Sequence, residues 1–278
     1  MAILSRVAAG CILLLGSLCA AAQTPQREKV AEGKYLKTKN GQAIAGTDQD
    51  WTVWRNPDGS LAMEDKFVVT NPAAELTAKI EAGTNKPLGA SLRHDVENAV
   101  RQTGLQLTLS PDRTPRALTV TGNLVLSGKP VEALTCDVQS FVTTCKGLHG
   151  KRKLASKDPL LFFYSFPFPM LLSPVILHAN LPISHDTTMK FAVATLNEDS
   201  IELDEADAEL RYLDNELLQV GDRKIGSAKY SLEVPQKDAA PLKLTFWAAA
   251  NGLVLAVDIE GIPGTGLLLV QYKKYSDY

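Results

Sequence analysis

Apolar and polar residues alternate along most of this chain. "LTAKIE" (76–81), "LQLTLS" (105–110), "ALTVTGNLVLS" (117–127) and "ALTCDVQS" (133–140) each place apolar residues two apart. "MKFAVATL" (189–196), "SIELDEADAEL" (200–210), "SAKYSLEV" (227–234) and "LLLVQYKKY" (267–275) repeat the pattern. A period of two gives a strand one apolar and one wet face. Turn residues separate the runs. Asn40-Gly41 lies between "KYLKT" and "QAIAGT", Asn56-Pro57-Asp58-Gly59 between "DWTVWR" and "SLAMEDKFVV", and Asn251-Gly252 between "LKLTFWAA" and "LVLAVDIE". Short turns of this kind join antiparallel neighbours, whereas parallel strands need long crossovers. About a dozen strands spaced this closely predict one large antiparallel sheet, sandwich or barrel.

Helical spacing is rarer. "SLRHDVENAVRQTG" (91–104) offers Ser91 as N-cap, Leu92, Val96 and Val100 four apart, and Gly104 as a stop, which predicts a short helix. Residues 206–220 fit a helical stripe through Ala206, Leu210, Leu213, Leu217 and Val220. They also fit two strands about Asp214-Asn215, the reading favoured by the β-rich surroundings.

The run "LLFFYSFPFPMLLSPVILHANLPIS" (160–184) breaks the alternation. It carries no Asp, Glu, Lys or Arg and holds four of the chain's eight Phe residues. Its length suggests a membrane span, but Pro167, Pro169, Pro174 and Pro182 each remove a backbone donor and oppose a continuous helix, so no transmembrane span is expected. Two readings stand. The run crosses and fills the core, with a short helix near 171–177. Alternatively it lines a hollow in the sheet, offering Phe162, Phe163, Phe166, Phe168, Met170 and Leu171 to an apolar ligand.

The first residues read as a leader. Arg6, an apolar run from Val7 to Leu18 and the small residues Ala20–Ala22 form a secretory signal over 1–22. Export to the periplasm or the exterior follows as the expectation, with a soluble chain after cleavage. Cys19 raises lipidation as an alternative, which Leu18 before it disfavours. Residues 23–33 are polar and aperiodic and read as a flexible lead-in; 34–278 then form a single antiparallel β domain. Losing Arg6 with the leader takes the net charge from −2 to −3, so no overall basic footprint for nucleic acid exists. Cys136 and Cys145 remain; in an oxidising compartment they predict a disulfide.

No motif carries catalytic or metal chemistry, so no cofactor is expected and an enzyme is the less favoured reading. Ser184, His185 and Asp186 are triad types, but as sequence neighbours in an extended chain they point apart. The acidic residues 198–209 lack the spacing and central glycine of a calcium loop and read as a solvated face. "GIPGTG" (261–266) precedes a strand, not the helix a phosphate cradle opens, and reads as a tight connection.

The opening "GKYLKTKNGQAIAGTDQDWTVWRNPDGSLAMEDKF" and the closing "ELLQVGDRKIGSAKYSLEV" through "LLLVQYKKY" resemble exported bacterial proteins that look like relatives of the lipoprotein-carrier half-barrel. The resemblance lies in the rhythm of turns and strands and names no functional residue. It implies a mainly β fold: a large, curved antiparallel sheet, half-barrel or barrel-like, around an apolar hollow closed by one or two short helices or by loops. The function it implies is a non-catalytic envelope carrier of a lipid-like ligand. The alternative is a structural or assembly protein acting through surface contacts, with 160–184 as core.

Overall fold

The computed structural model describes residues 26–39, 42–69, 101–123, 130–139, 141–147, 150–164, 169, 172, 186–196, 201–237, 239–260 and 266–277. Fifteen strands run through them. The first eight are β1 (Glu28–Lys39), β2 (Gln42–Arg55), β3 (Leu61–Val69), β4 (Arg101–Leu109), β5 (Pro115–Asn123), β6 (Pro130–Gln139), β7 (Val142–Gly147) and β8 (Gly150–Ala155). The others are β9 (Leu161–Tyr164), β10 (Thr187–Leu196), β11 (Ile201–Val220), β12 (Arg223–Gln236), β13 (Ala239–Ala248), β14 (Val254–Ile259) and β15 (Gly266–Lys274).

All fifteen join one sheet, in the order β8-β7-β6-β5-β4-β3-β2-β1-β15-β14-β13-β12-β11-β10-β9. Connectivity then dictates shape. The two edges, β8 and β9, are consecutive in the chain and joined only by residues 156–160. Laid flat, fifteen strands would separate those edges by about 65 Å. The link can span only about 20 Å. The sheet must therefore roll, and it does: β8 and β7 come against β11, and β9 against β5. No ladder joins β8 to β11, so the roll stays unclosed among the described strands.

Strand twist and alternation put the core inside this roll. Tyr35, Trp51, Val53, Met63, Leu107, Leu118, Tyr230 and Phe246 are buried along its concave face. Near the β9 edge the alternation disappears, because both faces are covered. Leu160, Leu161 and Phe162 are buried in succession, as are Phe191, Ala192, Val193 and Ala194. Cys136 and Cys145 face each other directly across β6 and β7 and form the disulfide.

Three hairpins share one turn geometry. In each, the first residue donates its N–H to the carbonyl of the residue four later and accepts at its own carbonyl from the N–H of the residue three later, and that third residue takes the left-handed conformation. In the β2–β3 turn, Asn56 N–H donates to Ser60 O at 2.9 Å, with Gly59 at φ 80°. In the β13–β14 turn, Ala249 N–H donates to Leu253 O at 2.8 Å, with Gly252 at φ 83°. The β4–β5 turn repeats it with Ser110 N–H donating to Thr114 O at 2.8 Å, but a side-chain-bearing residue, Arg113, holds the position at φ 69°.

Some expectations need correction. No helical element is defined among the described residues. Residues 101–104, the end of the expected helix 91–104, are strand: they open β4 and pair with β3 and β5. The remainder of that segment lies outside the described residues, as does 171–177 except Leu172, whose backbone is helical. Residues 206–220 are neither a helix nor two strands. β11 continues through them against β12 and absorbs an extra residue at Leu213, where the register shifts between Tyr212 and Asp214. That bulge reverses which face the following residues occupy, which is how apolar spacing mimicked a helix. The sheet also contains one parallel pair, β9 with β10, made possible by the long connection between them. Finally, β1 begins at Glu28, inside the stretch read as lead-in: with partners on both sides, β2 and β15, even the polar "EKVAEG" is held as strand. The run 76–81 lies outside the described residues.

Candidate functional site

The sequence-predicted lining divides. Phe162 is 2% exposed and belongs to the core, as does its neighbour Leu172. The side chains of Phe163, Phe166, Phe168, Met170 and Leu171 lie outside the described residues. So do His94, His178, Ser184 and His185. Asp186 is exposed and sits 3.9 Å from the Arg211 guanidinium. In the acidic run, Glu205 and Asp207 face the Lys190 ammonium at 3.0 and 3.8 Å. Lys190, whose side chain is well solvated, gathers them with Asp158 at 3.7 Å. Among the described residues, no three His, Cys, Asp or Glu come together in a group able to hold a metal ion.

A hollow of about 310 Å³ opens instead at one end of the concave face, across β11, β12 and β13. Its origin is side-chain size. The segments "GSA" (226–228) and "AAA" (248–250) meet in the sheet, with Asn215 opposite Ala228, Ala228 opposite Ala248, and Leu217 opposite Gly226. Where neighbouring registers carry bulky inward groups, these carry a hydrogen or a methyl. Two residues further in, the space ends on Tyr230, which stacks on Phe246 at 5.4 Å and meets Tyr212 edge-on at 5.9 Å. Leu217 stands at the lip, 70% exposed, the most exposed of the large apolar side chains described.

The reverse face of the same strands is braced by charge. Glu216 accepts from Lys229 Nζ at 3.0 Å and Trp247 Nε1 at 2.8 Å, and both bonds hold its carboxyl below the usual carboxylate range. The Lys229 ammonium also lies 4.9 Å above the Trp247 ring. The carboxylate is thus engaged on the side away from the small residues. The residues lining the hollow include two titratable ones, Tyr230 at the floor and Glu216, whose carboxylate is taken up by Lys229 and Trp247. The small and aromatic lining residues suit contact with an apolar surface.

A second feature lies at the centre of the concave face. Trp51 folds back over Gly33, where a side chain would have met its Cζ2 at 2.5 Å, and stacks on Tyr272 at 6.1 Å. Beside it Gln49 Nε2 donates to Asp65 Oδ2 at 2.8 Å. Gln49 Oε1, Trp51 Nε1 and Asp65 Oδ1 are buried without hydrogen-bond partners. Burial first, and then the neighbouring Asp50 charge, push the Asp65 carboxyl up to about 8 against the downward pull of the Gln49 bond. The sequence reading missed this pair, although its signal was legible. In "LAMEDKF" the inward positions are Leu61, Met63, Asp65 and Phe67, so an acid occupies an apolar parity. Gln49 does the same ahead of Trp51 and Val53.

No protein-family model matches the chain, and no curated protein matches it. Among solved structures, the chain is similar to a β-barrel-like protein of a domain of unknown function, DUF1849, from Brucella abortus. The TM-score is 0.49 at 12% identity, over 91% of this chain and 98% of that one. It is also similar to a DUF1089 family protein from Pseudomonas aeruginosa, with a TM-score of 0.42 at 13% identity, over 77% of this chain and 90% of that one. Among the described residues, no helix is long and apolar enough to cross a membrane.

Proposed function

We propose that this is a non-catalytic protein of the cell envelope, exported by its leader, that binds an apolar group in the hollow between β11 and β13. The observation that carries the reading is the pairing of small residues, Gly226, Ala228 and Ala248, over an aromatic floor, with exposed Leu217 at the mouth. Its volume, about 310 Å³, lies at the lower end of small-molecule sites. That leaves room for one ring or a short acyl segment, not for a whole diacyl lipid. A ligand of this kind keeps its polar end in solvent.

The test is titration with a fluorescent fatty acid, beside native mass spectrometry of the protein as purified. Saturable one-to-one binding is expected, weakened at least tenfold in Leu217→Arg, whose exposed position spares the fold. Absence of saturable binding, or equal affinity in the variant, would refute the reading.

A second reading has its own support. Leu160–Phe162 and Phe191–Ala194 are buried on both faces, which fits 160–184 acting as core and the protein acting through its surface in assembly. The same titration separates the two, since that role predicts no apolar binding.

A further inference from the structure

We propose that Gln49 and Asp65 form a closed acid–amide pair sharing one proton, and that this pair is a pH-operated latch between β2 and β3. The geometry begins with one bond, Gln49 Nε2–H to Asp65 Oδ2 at 2.8 Å, between side chains that are 0% and 3% exposed. The remaining oxygen of each group, Gln49 Oε1 and Asp65 Oδ1, is buried and has no partner. Two buried acceptors left open are costly, and native interiors rarely tolerate them. One proton on Oδ1 answers both, because a neutral carboxylic acid offers one donor and one acceptor and a primary amide offers the complement. An ionised carboxylate offers acceptors only and leaves both Gln49 Oε1 and Asp65 Oδ1 without a donor.

Among the described residues, no cation is seen to act on the Asp65 carboxyl; Lys37 of β1 lies 4.8 Å over the Phe67 ring. On β1, Lys34 is engaged by Asp48 and Asp50 at 3.4 and 3.6 Å, and the Tyr35 hydroxyl donates to Val254 O at 2.6 Å. On β2, Asp48 and Asp50 are negative. On β3 itself, Glu64 faces Arg27 at 3.2 Å and Lys66 is exposed. On β4, Arg101 lies opposite Val69 at the far end, and residues 104–109, which flank Asp65, carry no charge. Trp51 is the direct partner of Asp65 on β2, but its indole leans the other way, over Gly33 of β1. The neutral form is therefore the one the interior accepts, and burial raising the carboxyl to about 8 agrees.

Opening the latch is a simple ionisation: the Oδ1–H bond breaks, its electrons stay on the carboxylate and the proton goes to solvent. The folded value near 8 stands above the ordinary 3.8 of an unfolded chain. Between these the folded protein holds one proton more than the unfolded, so stability is greatest below pH 4 as far as this group is concerned. It falls as pH rises, with the unfolding constant growing about tenfold per pH unit up to about 8, and levels off above.

Asp65→Asn tests this, since its Nδ2 gives Gln49 Oε1 a permanent donor while Oδ1 still accepts from Nε2. Urea unfolding of both proteins from pH 4 to 9 should show them converging near pH 4. At pH 7 the variant's unfolding constant should be about a thousandfold smaller. Infrared difference spectra of the wild type provide a readout independent of the variant's folding. A buried protonated carboxyl band should persist at pH 6 and vanish above pH 9. Parallel pH profiles for the two proteins, or no protonated carboxyl at pH 6, would overturn the proposal.

Discussion

Gly33→Ala probes how the concave face is packed. The added Cβ would lie 2.5 and 2.7 Å from Trp51 Cζ2 and Cε2, and 2.6 Å from the backbone oxygen of Gln271. Carbon atoms in contact sit about 3.5–4.0 Å apart, so the indole must retreat by about 1 Å. The Gln271 carbonyl belongs to the β1–β15 ladder and cannot follow without breaking register. Overpacking of this kind costs about 1–3 kcal/mol. Moving the indole also loosens its stack on Tyr272 at 6.1 Å and its contact with Tyr35 at 6.1 Å, each worth about 0.5–1.5 kcal/mol. Removing a glycine from a strand returns about 0.5–1 kcal/mol. The net loss is about 3 kcal/mol. Urea unfolding followed by tryptophan fluorescence measures it, and near-ultraviolet dichroism reports the displaced indole. A loss below about 0.5 kcal/mol with unchanged dichroism would show that Gly33 is not what seats Trp51.

Two further changes test other parts of the fold. Reducing Cys136–Cys145 opens a ten-residue loop and should cost about 2.7 kcal/mol in the chain-entropy model, read from urea midpoints with and without reductant. Arg113→Gly should stabilise by about 0.5–1 kcal/mol, because glycine holds φ 69° without the side-chain penalty; the loss of a 3.3 Å bond from Arg113 Nη1 to Gly59 O offsets part of the gain, and thermal unfolding measures the balance.

Local chemistry made much of this fold legible. The turn at 56–59 and that at 251–252 announced themselves through glycine, while the one at 110–114 did not, because arginine occupies the strained position. Period-two runs marked most strands correctly, since a half-buried strand must alternate. At 189–196 the expected strand is present as β10, but alternation does not show which face is inward, because Phe191–Ala194 are all buried; at Leu213 a bulge reverses the faces. The roll of the sheet is a property of strand order, and strand order depends on pairings such as β1 with β15 that no local pattern encodes. The candidate hollow was invisible for a related reason. "GSA" and "AAA" are unremarkable apart, and only the register between Ala228 and Ala248 puts them together. Asp65 was the opposite case: its parity flagged it, but only burial showed that, among the described residues, no cation acts on the acid.

The rolled sheet underlies everything else, and one distance tests it. Spin labels carried on non-natural residues at the exposed positions Lys153 of β8 and Asp207 of β11 report the separation of two strands that stand twelve places apart in the sheet. The rolled structure, with β8 against β11, predicts a distance below about 30 Å, allowing for the labels' own reach. A flat or loosely curved sheet would give about 58 Å, and a distribution centred there would contradict the account.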